Sequence, residues 1–305
     1  MGAEKHKIWV YGMVTDLKFH KAKVTAEGSY QKKPNEVDPP IVKSMLEHEW
    51  LEFIDDYKKS SGGSLMSYTE TTLVTVNGNE FVGRADDFII FCSQHYEFKD
   101  LRPEPLFEAM ARMEYEELLQ SRKHDLVHFD IRVGEEEIGK MLIELYNDMV
   151  PTTCANFKQL CIGDRKSVIK NDPTPWHLKY ENSVFHRVVK NGWIQGGDII
   201  HGSGDNGWSI YGETFEDENY SVLHSKRGIV GMANKGRHSN SSQFYITFQP
   251  APWMDCQYVA FGQVIEGLDT LAKMEALDTY NERPLNICKI SNCGVVDIKK
   301  WVDSM

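Results

Sequence analysis

The 305-residue sequence lacks any apolar run approaching the roughly 18 residues that a bilayer-spanning helix requires. Its first residues, Met1-Gly2-Ala3-Glu4-Lys5-His6, hold no hydrophobic secretory core, so a cytoplasmic protein is expected. Position 6 is not Ser or Thr, which argues against myristoylation at Gly2. Without secretion the sequons Asn219-Tyr220-Ser221 and Asn240-Ser241-Ser242 are coincidences. Cysteine is sparse: Cys92, Cys154, Cys161, Cys256, Cys288 and Cys293 include no C-x-x-C pair and no zinc-finger spacing with histidine. Scattered reduced thiols are expected, with no metal and no cofactor. Positive charge is short, 34 Lys and Arg against 45 Asp and Glu, for a net charge of -11. Phosphate neutralisation needs the opposite balance, which excludes a nucleic-acid binder and favours a neutral or basic protein partner. There is no internal repeat and no low-complexity tract.

What is present divides near residue 125. Residues 1–100 read as an α/β domain. Ile8 to Tyr11 is a strand, Leu17 to Gly28 is helix-like, and Ile41 to Lys59 holds a helix patterned by Met45, Trp50, Phe53, Ile54 and Tyr57. Leu73 to Val76, the turn Asn77-Gly78 and Glu80 to Gly83 carry a hairpin signal, and a helix follows from Asp86 to about Tyr96. Residues 101–124 read as a helical linker and 299–305 as a tail. From 125 to 298 short β runs dominate. Val127 to Ile131 and Ile138 to Leu145 pair across Gly134-Glu135-Glu136. Pro151 opens a helix that Gly163 ends, and a second helix covers about Leu268 to Leu277. Many short strands with two helices suggest a closed antiparallel barrel capped at each end.

Two blocks carry chemistry. Phe185-His186-Arg187 is followed by Gln195-Gly196-Gly197-Asp198, and Gly231-Met232-Ala233-Asn234 runs on to Ser242-Gln243-Phe244-Tyr245. With Ser209-Ile210-Tyr211-Gly212-Glu213 and Phe215-Glu216-Asp217-Glu218-Asn219 these resemble, in order, the cyclophilin family of peptidyl-prolyl cis-trans isomerases over about residues 125 to 297. The resemblance implies a mainly β, closed eight-stranded barrel with two capping helices. It also implies isomerisation of X–Pro bonds in protein clients.

Rotation about a peptide bond faces a barrier of roughly 18–20 kcal/mol because the nitrogen lone pair is delocalised. A donor to the prolyl nitrogen, a slot for the ring and partners for the peptide can lower it by stabilising the twisted state. By resemblance Arg187 is the catalytic donor, supported by Gln195. Ala233, Asn234 and Gln243 hold the peptide, and Trp253 sits on the rim, where it can meet a cyclosporin-type ligand. The slot departs from that of active relatives, which is lined by two phenylalanines, a methionine and a leucine. Gly192 and Trp193 stand at the first phenylalanine and the methionine, Tyr245 and Met254 at the second phenylalanine and the leucine. Tyr258 replaces a wall histidine. Met for Leu conserves volume, whereas the Tyr245 hydroxyl must find a partner. An open apolar pocket about one proline ring wide, beside an exposed Arg187, is expected, with reduced turnover.

Gly202-Ser203-Gly204-Asp205-Asn206-Gly207 satisfies G-x-G-x-x-G but precedes no helix, so it reads as a flexible surface loop and not a dinucleotide site. The βα(α)ββα order of the first domain is similar to a thioredoxin or glutaredoxin fold. The redox positions after its first strand read Gly12-Met13-Val14-Thr15-Asp16, with no thiol, which leaves a redox-dead adaptor. The extra N-terminal domain and the run Lys190 to Asp198 resemble a branch of the family associated with motile cilia. That implies an axonemal location and radial-spoke partners. An isomerase and a catalytically weak proline-binding module of the axoneme both fit.

Overall fold

The computed structural model describes residues 5–78, 81–168 and 175–304. The chain forms two compact units: one runs to Arg122 and resumes at Ile298, the other is Lys123–Asp297. Among the described residues no helix is long and apolar enough to cross a membrane.

The first unit contains β1 (Ile8–Met13), α1 (Leu17–Lys32), β2 (Ile41–Met45), α2 (Glu47–Ser61), β3 (Thr72–Val76), β4 (Phe81–Gly83), α3 (Ala85–His95) and α4 (Glu104–Gln120). Its sheet runs β2-β1-β3-β4, with β1 and β2 parallel and the other pairs antiparallel. The expected α/β character is therefore present. Ile41 to Lys59 departs from the single helix read in the sequence. Pro39 and Pro40 hold the entry extended and β-branched Ile41 and Val42 follow, so Ile41 to Met45 pair with β1 and the helix begins only at Glu47. There Glu49 caps the Leu46 amide at 3.0 Å.

The positions after β1 close a strand-to-helix turn in place of a redox site. The Asp16 carboxylate caps α1 at the Lys18 amide (2.9 Å) and accepts the hydroxyls of Thr71 (2.6 Å) and Thr72 (2.8 Å). Cys92 is buried, and burial pushes its thiol up to about 12. The segments read as linker and tail are packed elements. Helix α4 buries Phe107, Ala111, Tyr115 and Leu119 and pairs Glu114 with Lys23 of α1 at 2.8 Å. A short helix, Ile298–Asp303, buries Val302 and donates the Trp301 indole N–H to the Tyr115 hydroxyl at 3.1 Å.

The second unit contains β5 (Asp125–Val133), β6 (Glu136–Leu145), α5 (Pro151–Ile162), β7 (Lys166–Val168), β8 (Pro175–His177), β9 (Phe185–Val189), β10 (Trp193–Gly196), β11 (Ile229–Met232), β12 (Phe244–Thr247), β13 (Ala260–Glu266), α6 (Leu268–Glu275), β14 (Thr279–Tyr280), β15 (Arg283–Pro284) and β16 (Cys288–Val295). Eight strands form one antiparallel sheet in the order β16-β5-β6-β13-β11-β12-β10-β9. The ends nearly meet through a bridge between Val184 and Lys289, where the Asn182 amide reaches the Ile290 carbonyl at 2.7 Å. The barrel is filled by Phe129, Phe157, Tyr180, Phe244 and Phe261, with the Phe157 ring edge-on to Phe244 at 5.2 Å. Helix α5 ends at Gly163, whose φ of 72° suits glycine. The barrel with its two helices agrees with the sequence expectation. The short antiparallel pairing of β7 with β8 was not anticipated, because three residues on each side carry no readable alternation.

Candidate functional site

Strand alternation sorts the site from the core. Along β12, Phe244 and Ile246 enter the barrel core, and Tyr245 between them joins a separate cluster outside it. Ladder pairing then lines up Arg187 of β9, Gln195 of β10, Tyr245 of β12 and Gly231 of β11 in one row. Gly231 needs its missing side chain there, since a Cβ would collide with the Tyr245 hydroxyl.

Arg187 is outward and engaged. Its Nε donates to Glu282 Oε2 at 2.6 Å, and its guanidinium carbon lies 5.4 Å from the Trp193 ring centroid. The two side chains are 45% and 47% exposed, so the pair is a surface ion pair of about 0–1 kcal/mol and not an internal one. Glu282 sits in the two-residue turn between β14 and β15, with Asn281 at φ 48° and Glu282 at φ 63°. Both residues of such a turn are left-handed, which glycine or asparagine accepts freely and a glutamate adopts at a cost on the order of 1 kcal/mol. The Glu282 carbonyl also accepts the Val188 amide at 2.6 Å, fixing the turn beside Arg187.

Gln195 donates to the side-chain oxygen of Gln243 at 2.9 Å, and Gln243 donates to the carbonyls of Gly204 (2.9 Å) and Asn206 (2.6 Å). The glycine-rich loop is thus tied to the site, against its reading as flexible. Its anchor is Asp198, whose carboxylate accepts the amides of Ile200, His201, Gly204 and Asn206 at 2.8–3.3 Å. Burial alone would raise this carboxyl, but those amides together outweigh it and hold the pKa below the usual range.

The apolar part of the site packs against itself. Tyr245 and Met254 are 2% and 5% exposed, and with Ala251 they form a cluster against Trp193, Ala233 and Tyr258. The Tyr258 ring stands edge-on to Tyr245 at 5.9 Å. Gly192 closes the β9–β10 turn through its backbone, with the Phe248 amide on its carbonyl at 2.8 Å, and contributes no wall. A cavity of about 390 Å³ opens next to the row, lined by Gln195, Gln243, Ala233 and Asn234 together with the glycine-rich loop. Trp193, Tyr245 and Met254 do not line it, so the expected ring-sized hollow beside Arg187 is not this cavity. Trp253 stands 54% exposed on the 3-10 turn Pro252–Met254. The Asn234 side chain turns into its own loop, donating to Asn240 Oδ1 at 3.2 Å.

The Tyr245 hydroxyl finds the partner it requires. It lies 2.6 Å from Nε2 of His224, whose Nδ1 lies 2.7 Å from Asp255 Oδ1. The carboxylate can only accept, so Nδ1–H donates to it and Nε2 accepts from the tyrosine. Burial lowers the His224 pKa against the opposing pull of Asp255, and the imidazole stays neutral. His224, Asp255 and Glu282 escaped the sequence reading. Only the dipeptide Asn281-Glu282 between Tyr280 and Arg283 offered a signal, that of a tight turn. Among the described residues no group of three His, Cys, Asp or Glu could hold a metal.

Residues 128–295 match the family described as "Cyclophilin type peptidyl-prolyl cis-trans isomerase/CLD". The chain is 42% identical over 288 residues to the Homo sapiens protein named "Probable inactive peptidyl-prolyl cis-trans isomerase-like 6", covering 94% of this chain and 91% of that one. The Mus musculus protein of the same name is also 42% identical, over 290 residues, with 95% and 91% covered. "NK-tumor recognition protein" of Homo sapiens is 44% identical over 177 residues, 58% of this chain and 12% of that one. Barrel, capping helices, the ladder row and these matches agree: the chain belongs to the cyclophilin family of peptidyl-prolyl cis-trans isomerases.

Proposed function

We propose that the outward row of Arg187, Gln195 and Tyr245 receives an X–Pro segment of a client protein and isomerises it slowly. The observation that carries this reading is the placement of a half-exposed guanidinium one strand from Gln195, itself bonded to Gln243. A charge-assisted bond from Arg187 to the prolyl nitrogen, worth about 1.5–3 kcal/mol, would speed exchange roughly tenfold to a hundredfold. Ala233, Asn234, Trp253, Met254 and Tyr258 would border the peptide, and a cyclosporin-type ligand would occupy the same face. No proton transfer or bound group enters the reaction.

The alternative is a proline-binding module without useful turnover. Its support is specific: Glu282 occupies the arginine, the lining of the slot packs on itself, and relatives 42% identical over most of the chain bear "probable inactive" in their names. Membership of an axonemal assembly belongs to either reading and rests on the sequence resemblance alone. A two-dimensional NMR exchange measurement on an Ala-Pro peptide, with wild type and Arg187→Ala, separates the readings. Exchange that disappears in Arg187→Ala supports the enzyme, whereas binding without exchange in either form supports the module.

A further inference from the structure

The geometry points to Glu282 as a gate on Arg187, one that makes the groove selective for prolyl segments carrying a lysine or arginine next to the proline. The inference rests on the proposed role of Arg187 and adds what controls it.

Three observations converge on this residue. Its carboxylate takes the Arg187 Nε at 2.6 Å, so a peptide must displace it or compete with it. Its backbone is left-handed at φ 63°, in a turn where glycine fits without strain, and strain of this kind marks a position held for its side chain. Its carbonyl accepts the Val188 amide at 2.6 Å and the next residue, Arg283, donates to the Ser203 carbonyl at 2.7 Å. The turn is therefore clamped on both sides, and the carboxylate is held in place as a competitor.

The ion pair is half exposed, so the tie is shallow and a peptide can open it. A neutral peptide opens it by returning the Glu282 carboxylate to water, with the loss of the pair. A peptide with a cation near the proline supplies a new partner for Glu282 and leaves the guanidinium free for the prolyl nitrogen. The same preference accords with the net charge of -11, which favours a basic partner.

The test titrates the full chain by NMR with two hexapeptides, identical except for lysine or norleucine after an Ala-Pro pair. Wild type should bind the lysine peptide about fivefold more tightly, the size of one half-exposed ion pair. Glu282→Gln, which keeps the turn strain and removes the charge, should bind the norleucine peptide about threefold or more tightly than wild type and lose the lysine preference. Glu282→Gly should behave in the same way. Unchanged affinities in both variants overturn the gate, as does a change in Glu282→Gly alone, which would mark relief of strain. Arg187→Ala tells the two ideas apart. Weaker binding there, with indifferent Glu282 variants, sinks the gate and spares the groove. Binding equal to wild type in Arg187→Ala, or no binding by any form, sinks both.

Discussion

Tyr245 gives its hydroxyl to Nε2 of His224 across 2.6 Å, and both residues are buried. The phenolic oxygen, which the sequence placed in an apolar slot, is thereby satisfied inside the protein. The ring itself packs with Met254 and Ala251. Tyr245→Phe should leave Nε2 an orphaned buried acceptor and destabilise the barrel by about 1–3 kcal/mol. Amide hydrogen exchange along β12 reads this directly. Protection equal to wild type would show that water replaces the phenol.

The same imidazole fixes a pH dependence. His224 has a folded pKa lowered by burial, below the unfolded value of about 6.5. As pH falls through that unfolded value the denatured chain takes up a proton that the fold refuses, so stability falls with it. Above it both states are neutral and the effect is absent. His128 and His186, also lowered by desolvation, act in the same direction. His124 acts oppositely: Glu144 and Asp148 outweigh its desolvation and raise it, so its stabilisation is lost as pH rises through its folded value. Barrel unfolding midpoints should drop between pH 7 and 5, and His224→Gln should flatten the slope. An unchanged slope in that variant would mean that His224 binds its proton equally well in the folded and unfolded chain.

Asp198 gathers four backbone amides, those of Ile200 and His201 and, in the glycine-rich loop, those of Gly204 and Asn206. Asp198→Ala should cost about 3 kcal/mol, the upper range for hydrogen bonds to a charged group, and should speed exchange of the amides at 200–206. Asp198→Asn should cost less. Equal exchange rates in wild type and Asp198→Ala would assign the loop's order to Gln243 instead.

In the first unit Asp16 caps α1 and holds Thr71 and Thr72. Asp16→Ala should lower the stability of this unit by about 1–2 kcal/mol. Denaturant unfolding followed at β1 and α1 amides would measure it, and a loss below a few tenths would show the cap to be replaced by water.

The barrel was legible because its strands alternate and its turns use Gly and Asn, so local pattern and final pairing coincide. Arg187 and Gln195 were legible as neighbours for the same reason, since they lie on strands that pair, and Gln243 directly precedes β12. Ile41 to Met45 were misread because Val42 and Met45 continue the helical spacing of Trp50 and Ile54, and only the parallel partner β1 makes them a strand. Glu282 and His224 were invisible for another reason. Each reaches its partner across a large sequence separation, 95 residues to Arg187 and 21 to Tyr245, and no local pattern reports such a contact. The cavity of about 390 Å³ was hidden similarly, since it is lined by Gln195, Gln243 and the glycine-rich loop, whose ties to one another leave no local pattern.

The Trp301–Tyr115 bond has a consequence for biogenesis. The helix bearing Trp301 belongs with residues that leave the ribosome well before it, and the whole barrel is translated in between. The first unit must therefore wait until the segment that follows the barrel has been made. A nonsense mutation just after Val295 would spare every strand of the barrel and still leave its neighbour unfinished.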